Sequence, residues 1–372
     1  MKILHVITGL HTGGAETMLS RLLTSPYCKP EEHRVVCLGT SGPIGEKIKA
    51  QGFIVDVLGG KGRLSALRVV IAAVRIAKAY RPDIIQGWMY DGNLAAWWMA
   101  KRCGARLIWN VRYSIADISR EPFDLRIVIR VCAWLSSKVD VILYNSHIAA
   151  KQHNALGFSA GDNRVLPNGF NTSVFKPDPD ARMRVRKGLG IPENGLLVGM
   201  IARYHPMKDH LNFIKAAGKV ARSVPEVCFL LAGYSVEKEN RVLLHAVSEA
   251  GIQSKTFLLG ERQDTPALNA ALDVAVSSSA WGEGFSNVLG EAMACEVPCV
   301  ATDVGDAVQL LRETGTVVPP KNSDALSGAL IRLLNDHEYR SALGNAARKR
   351  IEENYSLEVV ANQYLQLWEG II

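Results

Sequence analysis

Apolar and polar positions follow two different periods along the first half of the chain. Short apolar, β-branched runs predict strands, and segments with an apolar residue every three or four positions predict helices. The predicted strands are KILHVIT (2–8), HRVVCLG (33–39), FIVDVLG (53–59), DIIQGW (83–88), RLIWNV (106–111), DVILYNS (140–146) and RVLPNG (164–169). The predicted helices are AETMLSRLL (15–23), IGEKIKAQG (44–52) and SALRVVIAAVRIAKAYRP (65–82). Strands that alternate with helices indicate a parallel sheet covered on both faces.

The alternation is interrupted once and then restarts. Residues 171–195 are rich in proline, glycine and charge, which predicts a linker with a short helix. Strands follow at LLVGMIA (196–202), VCFLLAG (227–233), TFLLG (256–260), DVAVSSS (273–279) and PCVAT (298–302). Helices are predicted at KDHLNFIKAAGKVA (208–221), VLLHAVSEAG (242–251), SNVLGEAMAC (286–295), DALSGALIRLLND (324–336) and SLEVVANQYLQLWEGII (356–372).

This order predicts an α/β protein with two doubly wound, Rossmann-like domains facing each other across a cleft. The N-terminal domain is expected at 1–170, joined by the C-terminal helix 356–372, and the second domain at 171–355. A length of 372 residues agrees with two or three domains. Doubly wound sheets bind ligands beyond the carboxyl ends of their strands, so functional residues are expected there.

Charge and cysteine content narrow the possible partners and the compartment. Residues 1–176 carry 23 Lys and Arg against 12 Asp and Glu, whereas residues 177–372 carry 20 against 24. A basic half joined to a mildly acidic half suggests two domains with different partners, although a solvated basic surface explains the same excess. The seven cysteines form no CxxC pair, so a reducing cytoplasm is expected. No apolar run approaches the ~20 residues of a transmembrane helix, and MKILHVITGL is too short for a signal peptide.

Two glycines follow the first predicted strand, in TGLHTGGAETML (8–19). Gly13 and Gly14 would let a ligand approach the backbone where a helix begins and its amides favour an anion. A plain tight turn explains the pair equally well. The pattern is not GxGxxG, and no acidic residue closes the second strand, so the dinucleotide fingerprint is not met.

A pair of cations follows the first strand of the second domain. Arg203 and Lys208 lie in ARYHPMKDH (202–210), on a loop that enters a helix. Two cations in front of helix amides are suited to hold a pyrophosphate. Solvated charges on a loop are the alternative, and the location at the carboxyl end of a strand supports the functional interpretation.

The stretch EGFSNVLGE (283–291) contains two glutamates but no Lys or Arg, in a chain of net charge +7. Glu283 is expected in a loop after a strand, Ser286 at the N-cap of the next helix, and Glu291 about a turn and a half into it. Carboxylates accept hydrogen bonds from sugar hydroxyls, and Gly284 leaves nearby amides open. The alternative is one acidic residue beside a helix start and one satisfied core glutamate.

The segment EGFSNVLGEAMACEVPCVATDVGD (283–306) closely resembles the E-x7-E signature of retaining, nucleotide-sugar-dependent glycosyltransferases. This is the group 1 family of the GT-B fold, which includes glycogen and sucrose synthases. Three other segments resemble the family in the same order: HTGGAETML (11–19), NSHIAAKQHNALGFSAGDNRVLPNGFNTSVFKPD (145–178) and VGMIARYHPMKDHLNFIKAA (198–217). The resemblance therefore covers essentially the whole chain.

The resemblance implies a role for each matching position in the second domain. Arg203 and Lys208 would stabilise the diphosphate leaving group, Glu283 would hold the donor sugar, and Glu291 would hold the nucleotide ribose. The backbone amides implied to assist Glu283 are those of Gly284, Phe285 and Ser286.

Further positions are implied around the nucleotide and acceptor. Gly13 and Gly14 would line the floor near the phosphates and the acceptor. Glu261 and Arg262, in the loop after TFLLG, would lie beside the base. Many family members carry a histidine after the strand equivalent to RLIWNV, where this chain has Arg112. Arg112 is expected to hydrogen-bond the donor sugar or a phosphate instead.

A metal ion is not expected. Asp178-Pro179-Asp180 has the form of a D-x-D metal motif, but it lies in the proline-rich linker. Arg203 and Lys208 would carry the leaving-group charge in place of a metal. The implied reaction moves a sugar from a UDP- or GDP-sugar, with retention at the anomeric carbon and no cofactor, through an oxocarbenium-like transition state.

The acceptor is expected to be a glycan or a lipid-linked glycan of surface polysaccharide or glycolipid biosynthesis. Basic and aromatic residues of the first domain suit the inner face of an anionic membrane. They lie in WWMAKRCGARLIW (97–109) and in the predicted helix 65–82 with the residues just before it. The cations of this second segment are Arg63, Arg68, Arg75, Lys78 and Arg81. A helix that packs on the sheet and turns its charges to water is an equally good interpretation.

Three other classes share some of these features. A sugar-nucleotide epimerase has the same fold but needs no acceptor site, and it is the main alternative. A nicotinamide dehydrogenase shares the α/β layout but requires the missing dinucleotide fingerprint. A nucleic-acid binder could use the basic half, but no recognition motif is present, so nucleic acid is not an expected partner.

Overall fold

The computed structural model describes residues 1–11, 13–60, 63–192 and 195–372, with the side chains of residues 63–67 left aside. The described chain forms two compact units. The first contains Met1–Gly169 and Leu357–Ile372, and the second contains Phe170–Ser356. Each division lies one residue from the boundary expected from the sequence.

The first unit contains a seven-stranded parallel sheet. Its strands are β1 (Ile3–Ile7), β2 (His33–Cys37), β3 (Ile54–Val57), β4 (Ile84–Trp88), β5 (Arg106–Val111), β6 (Val141–Tyr144) and β7 (Asp162–Val165). The order across the sheet is β3-β2-β1-β4-β5-β6-β7. The helices between the strands are α1 (Gly14–Leu23), α2 (Pro43–Ala50), α3 (Arg63–Tyr80), α4 (Met89–Cys103), α5 (Phe123–Leu135) and α6 (His147–Ala155).

The direction of winding places the helices of this unit on two faces. The chain moves one way across the sheet from β1 to β3 and the opposite way from β3 to β7, so right-handed crossovers put α1 and α2 on one face and α3 to α6 on the other. The buried clusters agree: Met18 and Ile48 share one cluster, and Ala73, Ala96 and Ile129 share the other.

The second unit repeats the design with six parallel strands. They are β8 (Leu196–Ile201), β9 (Val227–Ala232), β10 (Thr256–Leu258), β11 (Val274–Ser277), β12 (Cys299–Thr302) and β13 (Gly315–Val318), in the order β10-β9-β8-β11-β12-β13. The helices are α7 (Pro179–Gly188), α8 (His210–Ser223), α9 (Arg241–Glu249), α10 (Thr265–Ala271), α11 (Asn287–Ala294), α12 (Ala307–Leu311), α13 (Ser323–Asn335) and α14 (His337–Asn354). The order reverses at β8 and β11, so residues after these two strands lie at a topological switch point.

The last helix, α15 (Leu357–Ile371), returns to the first unit and fills its core. Tyr364 and Trp368 are fully buried there. The indole of Trp368 donates to the Gln86 side chain at 2.9 Å, and the Asn110 side chain donates to the Tyr364 hydroxyl at 2.9 Å. The core of the first unit therefore depends on residues from both ends of the sequence.

The sequence pattern predicted the central strands and missed several outer elements. The elements not predicted are α4, α5, α6, α10, α12, α14 and β13. In α5, FDLRIVIRVCAWL has apolar residues on both its buried and its exposed face, which obscures a one-sided helical period. The strand predicted at 164–169 instead ends at Val165, two residues before Pro167.

Candidate active site

Arg203 and Lys208 follow the carboxyl end of β8. Arg203 is exposed, and its side chain has no hydrogen-bond or ion-pair partner among the described residues. Lys208 ends a short 3-10 turn, Pro206–Lys208, and is part-buried. The hydroxyl of Ser278 donates to the Lys208 carbonyl at 2.9 Å, which fixes this loop to the end of β11.

Glu283 lies in the loop after β11 and forms an ion pair with Lys208. The hydroxyl of Ser279 donates to the same carboxylate oxygen at 2.9 Å. Residues 283–291 contain no cation, and the partner of Glu283 lies 75 positions away in the chain, after the neighbouring strand β8. Both side chains are more than four-fifths buried, with exposures of 16% for Lys208 and 13% for Glu283.

The loop from Trp281 to Ser286 is held by backbone contacts. Gly305 has a φ of +67°, and a side chain there would bring its Cβ within 2.6 Å of the carbonyls of Glu283 and Gly284. The amide of Asp306 donates to the Gly284 carbonyl at 2.9 Å. The sequence signal for this contact is the glycine in DVGD (303–306).

The amides at the start of α11 are open. Within the described chain, the backbone N–H groups of Gly284, Phe285 and Ser286 donate to no protein acceptor. Ser286 is the N-cap residue, as expected, but its side chain makes no capping bond and its buried hydroxyl has no partner within that same part of the protein. Unsatisfied donors at a helix start form an anion or hydroxyl site.

Glu291 is the fifth residue of α11 and is part-buried. Burial, with a smaller contribution from Glu291, raises the pKa of the nearby Cys295 thiol to about 12. The preceding residue, Gly290, packs against the ring of Phe170 so closely that a Cβ would overlap it. This contact fixes the rotation of α11 and hence the position of Glu291.

The loop after β10 contains the two residues implied to lie beside the base. Glu261 and Arg262 are both exposed. The Arg262 guanidinium makes a bidentate pair with Asp264, at 2.8 and 2.7 Å. The Arg262 side chain is thus occupied, which leaves the backbone of this loop for a ligand.

The glycine pair of the first unit lies where α1 begins. Gly13 is the N-cap residue with an extended φ of −158°, and Gly14 is the first helical residue. A Cβ at Gly13 would overlap the carboxylate of Glu16, which lies directly beside it. Burial raises the pKa of Glu16. The neighbouring Thr12 lies outside the described residues.

Arg112 has an environment that differs from the expected one. It follows β5, is 9% exposed, and all five of its N–H groups have acceptors inside the first unit. These acceptors are the side chains of Asn110 and Asn168, the hydroxyl of Tyr364 and the carbonyl of Leu166. Burial lowers its pKa from the ordinary range.

This arrangement does not support a contact from Arg112 to the donor sugar, because such a contact would have to replace an internal hydrogen bond. The guanidinium also lies over the ring of Trp88, 5.9 Å from its centroid. Arg112 therefore ties β5 to the segment before Gly169 and to α15.

The Asp-Pro-Asp segment also has a structural role. The Asp178 carboxylate accepts from the amide of Ala181 at 2.8 Å and caps α7, with Pro179 as the first helical residue. This agrees with the linker interpretation of the segment.

Two parallel sheets, each in its own α/β unit, with cations and a carboxylate at the switch point of the second, match the architecture of the GT-B fold. Comparison with solved structures gives the same fold. Anabaena Alr3699/HepE in complex with UDP superposes with a TM-score of 0.89 over 100% of both chains, at 22% identity.

The chain belongs to the glycosyl transferases group 1, whose family model matches residues 182–350, and the Glycosyltransferase Family 4 model matches residues 12–174. It is 30% identical over 289 residues to the GDP-mannose-dependent alpha-(1-6)-phosphatidylinositol monomannoside mannosyltransferase of Mycolicibacterium smegmatis, a match that covers 73% of this chain and 72% of that one. It is 27% identical over 217 residues to the lipopolysaccharide core biosynthesis mannosyltransferase LpsB of Rhizobium meliloti, covering 56% of this chain and 61% of that one. The protein is therefore a glycosyltransferase.

Proposed function

We propose that this enzyme transfers a sugar from a UDP- or GDP-sugar to a glycan or lipid-linked glycan acceptor, with retention of anomeric configuration. One observation carries the proposal: the Lys208–Glu283 pair lies beside open amides at the switch point of the second sheet. A cation for phosphate and a carboxylate for hydroxyls in one place suit a sugar diphosphate.

In the complex, the diphosphate and the sugar of the donor would each bind one member of the Lys208–Glu283 pair. Its diphosphate takes the Lys208 ammonium and the exposed guanidinium of Arg203, while its sugar hydroxyls donate to the Glu283 carboxylate. The amides from Gly284 to Ser286 bind the remaining oxygens. Lys208 thus occupies, in the free protein, the place on Glu283 that a sugar hydroxyl takes in the complex.

The proposed transfer step depends on positive charge beside the departing diphosphate. The bond from the anomeric carbon to the diphosphate oxygen breaks, and the positive charges of Arg203 and Lys208 stabilise the departing anion. The acceptor oxygen forms its bond to the same face of that carbon, and its proton passes to the departing phosphate. No divalent metal is required for this step, because the two side chains supply the charge.

The relatives support both the nucleotide-sugar donor and the lipid-linked acceptor of the proposal. Anabaena Alr3699/HepE binds UDP-glucose, and the mycobacterial relative uses GDP-mannose and a phosphatidylinositol mannoside. We propose Glu291 for the ribose and the loop of Glu261 and Arg262 for the base. In the first domain we propose Gly13 and Gly14 for the floor beside the phosphates and acceptor.

A peripheral contact of the basic first domain with the inner face of an anionic membrane is part of the proposal. Arg68, Arg75 and Lys78 are exposed on α3, whereas the Arg63 side chain lies outside the described residues. Of the three tryptophans in 97–109, Trp98 is 42% exposed, but Trp109 is fully buried in β5. No described helix combines the length and apolarity needed to cross a bilayer.

The donor can be identified by thermal stabilisation. UDP, GDP and their common sugars are added to the protein in a melting assay, and the stabilising donor is then incubated with lipid-linked and soluble glycan acceptors. Proton NMR of the product reads the anomeric configuration. An inverted product would remove retention, and conversion of the donor to an isomeric sugar nucleotide without acceptor would favour the epimerase.

Glu291→Ala is expected to weaken nucleotide binding by roughly ten- to a hundredfold, because a charged acceptor for the ribose hydroxyls is lost. Titration calorimetry with whichever of UDP and GDP stabilises the protein measures the change. Glu313→Ala, at an exposed glutamate of the same unit, is the matched control and should bind as the wild type does. Equal affinities for the two variants would remove the ribose role from Glu291.

A further inference from the structure

Helix α5 exposes a stripe of large apolar side chains. Phe123, Ile127, Val131 and Trp134 follow one another at helical spacing, and Phe123 and Trp134 are 70% and 71% exposed. With 100° per residue, these four positions lie within about 80° of one another around the helix axis. They form one continuous apolar stripe, which we call the α5 stripe.

The α5 stripe is separate from the face that holds the helix in the protein. Ile129, Cys132 and Leu135 point into the buried cluster of the first unit and anchor α5 to the sheet. The stripe lies on the opposite side and contributes nothing to that cluster. Folding therefore does not account for four large apolar residues in contact with water.

Cations flank the α5 stripe at both ends. Arg126 lies over the ring of Phe123, 5.7 Å from its centroid, and Lys138 lies over the ring of Trp134 at 5.0 Å. Arg130 is exposed between them, and Asp124 is the one acidic residue within α5. An aromatic stripe edged with cations is the composition of helices that lie in a membrane interface.

The neighbouring helices on this side of the sheet continue the pattern. On α4, which contacts α5, Trp98 is exposed with Arg102 4.9 Å from its ring, and Lys101 is also exposed. On α3, next to α4, Ile71 is exposed. Its exposed cationic neighbours are Arg68, Arg75 and Lys78.

We infer that the α5 stripe inserts into the headgroup and acyl boundary of an anionic lipid bilayer, with the cations of α3, α4 and α5 in contact with the lipid phosphates. The inference rests on the proposed membrane contact and gives it a location and an apolar component. Interfacial helices bury their apolar face ~5–10 Å into this boundary, a depth that Phe and Trp side chains reach. The lipid surface would thus hold the first domain where a lipid-linked acceptor is found.

Charge favours a lipid surface over a second copy of the chain. A two-fold contact through the α5 stripe would bring Arg126, Arg130 and Lys138 of one copy towards the same cations of the other. Asp124 is the one acidic residue of this helix available to offset them. Anionic lipids supply the opposite charge over the whole surface.

Vesicle co-sedimentation tests the inference. The wild type is compared with Phe123→Ser/Trp134→Ser on vesicles of phosphatidylcholine alone and of phosphatidylcholine with 30% phosphatidylglycerol, roughly the charge density of an anionic leaflet. The double variant should bind the anionic vesicles at least about tenfold more weakly, because two large apolar side chains no longer insert. Val242→Ser/Leu244→Ser removes two exposed apolar residues from α9 in the second unit and should bind as the wild type does.

The outcomes distinguish the proposed membrane contact of the first domain from the role of the α5 stripe in that contact. No binding of the wild type to anionic vesicles would overturn the proposed membrane contact itself. Binding of the wild type together with equal binding of the Phe123/Trp134 variant would overturn the role of the α5 stripe alone. A wild type that is dimeric in size-exclusion chromatography and a variant that is monomeric would assign the stripe to a second copy.

Insertion has its own spectroscopic readout. Lipids brominated on the acyl chain should quench part of the tryptophan fluorescence of the wild type, and Trp134→Phe should lose that quenched part while keeping its vesicle binding. Unchanged quenching in Trp134→Phe would show that Trp134 does not enter the bilayer. Transfer to a soluble acceptor, measured without vesicles, should be the same in all these variants and shows that they are folded.

Discussion

Arg203→Ala and Lys208→Ala are each expected to lower kcat by roughly a hundredfold or more, since each removes one positive charge from the departing diphosphate. The two variants should differ in the free protein. Lys208→Ala leaves the part-buried carboxylate of Glu283 with Ser279 as its remaining partner, so it should also lose some thermal stability. Arg203 is exposed without a protein partner in the described residues, so its loss should leave stability unchanged.

Steady-state transfer and thermal unfolding, measured on the same preparations, test this pair. Lys215→Ala and Arg222→Ala, two exposed cations on α8, are matched controls and should keep wild-type rates. The wild type should remain active in EDTA. Activity lost in EDTA and restored by manganese would contradict the assignment of the leaving-group charge to Arg203 and Lys208. It would favour a metal-binding role for Asp178.

Arg112→Ala is expected to lower the free energy of unfolding by about 3–5 kcal/mol, a result that follows from its buried hydrogen bonds. The substitution leaves the acceptors on Asn110, Asn168 and Tyr364 without their donor in the core of the first unit. Arg112→Lys keeps the charge but offers three donors instead of five, so it should be destabilised by a smaller amount. Urea unfolding at neutral pH measures both.

This result would correct the expectation from sequence that Arg112 hydrogen-bonds the donor sugar or a phosphate. Arg106→Ala is a suitable control, because its pair with Asp140 is solvent-exposed and such pairs contribute about 0–1 kcal/mol. If Arg112→Ala unfolds at the urea concentration of the wild type but has lost transfer, the sugar contact would be supported after all.

The sequence predicted those features that depend on neighbours in the chain. The apolar runs of β1, β4, β8 and β11 predicted the two parallel sheets, and the carboxyl ends of β8 and β11 gave the positions of Arg203 and Glu283. Local signals also gave the N-cap residue Ser286. These features need only the period of apolar positions and the preferences of loop residues.

Features that depend on distant residues were beyond the sequence alone. Glu283 has no cation near it in the chain, so its pairing with Lys208 follows only from the adjacency of β8 and β11. Arg112 was assigned to the donor sugar or a phosphate because it follows the predicted strand RLIWNV. Its hydrogen bond to Tyr364, 252 positions away in the chain, gives it a structural role instead. Local helical periodicity also missed α5, because one of its apolar faces packs on the sheet and the other is exposed to solvent.

The location of α15 affects the order in which the enzyme can fold during synthesis. The first domain leaves the ribosome early, but Trp88, Gln86 and Asn110 contact Tyr364 and Trp368, which are made only after the whole second unit. A nascent chain that ends before residue 357 therefore has an open cavity in its first sheet and a buried arginine without one of its acceptors. The N-terminal domain should mature after the C-terminal one, although its own sheet is translated first.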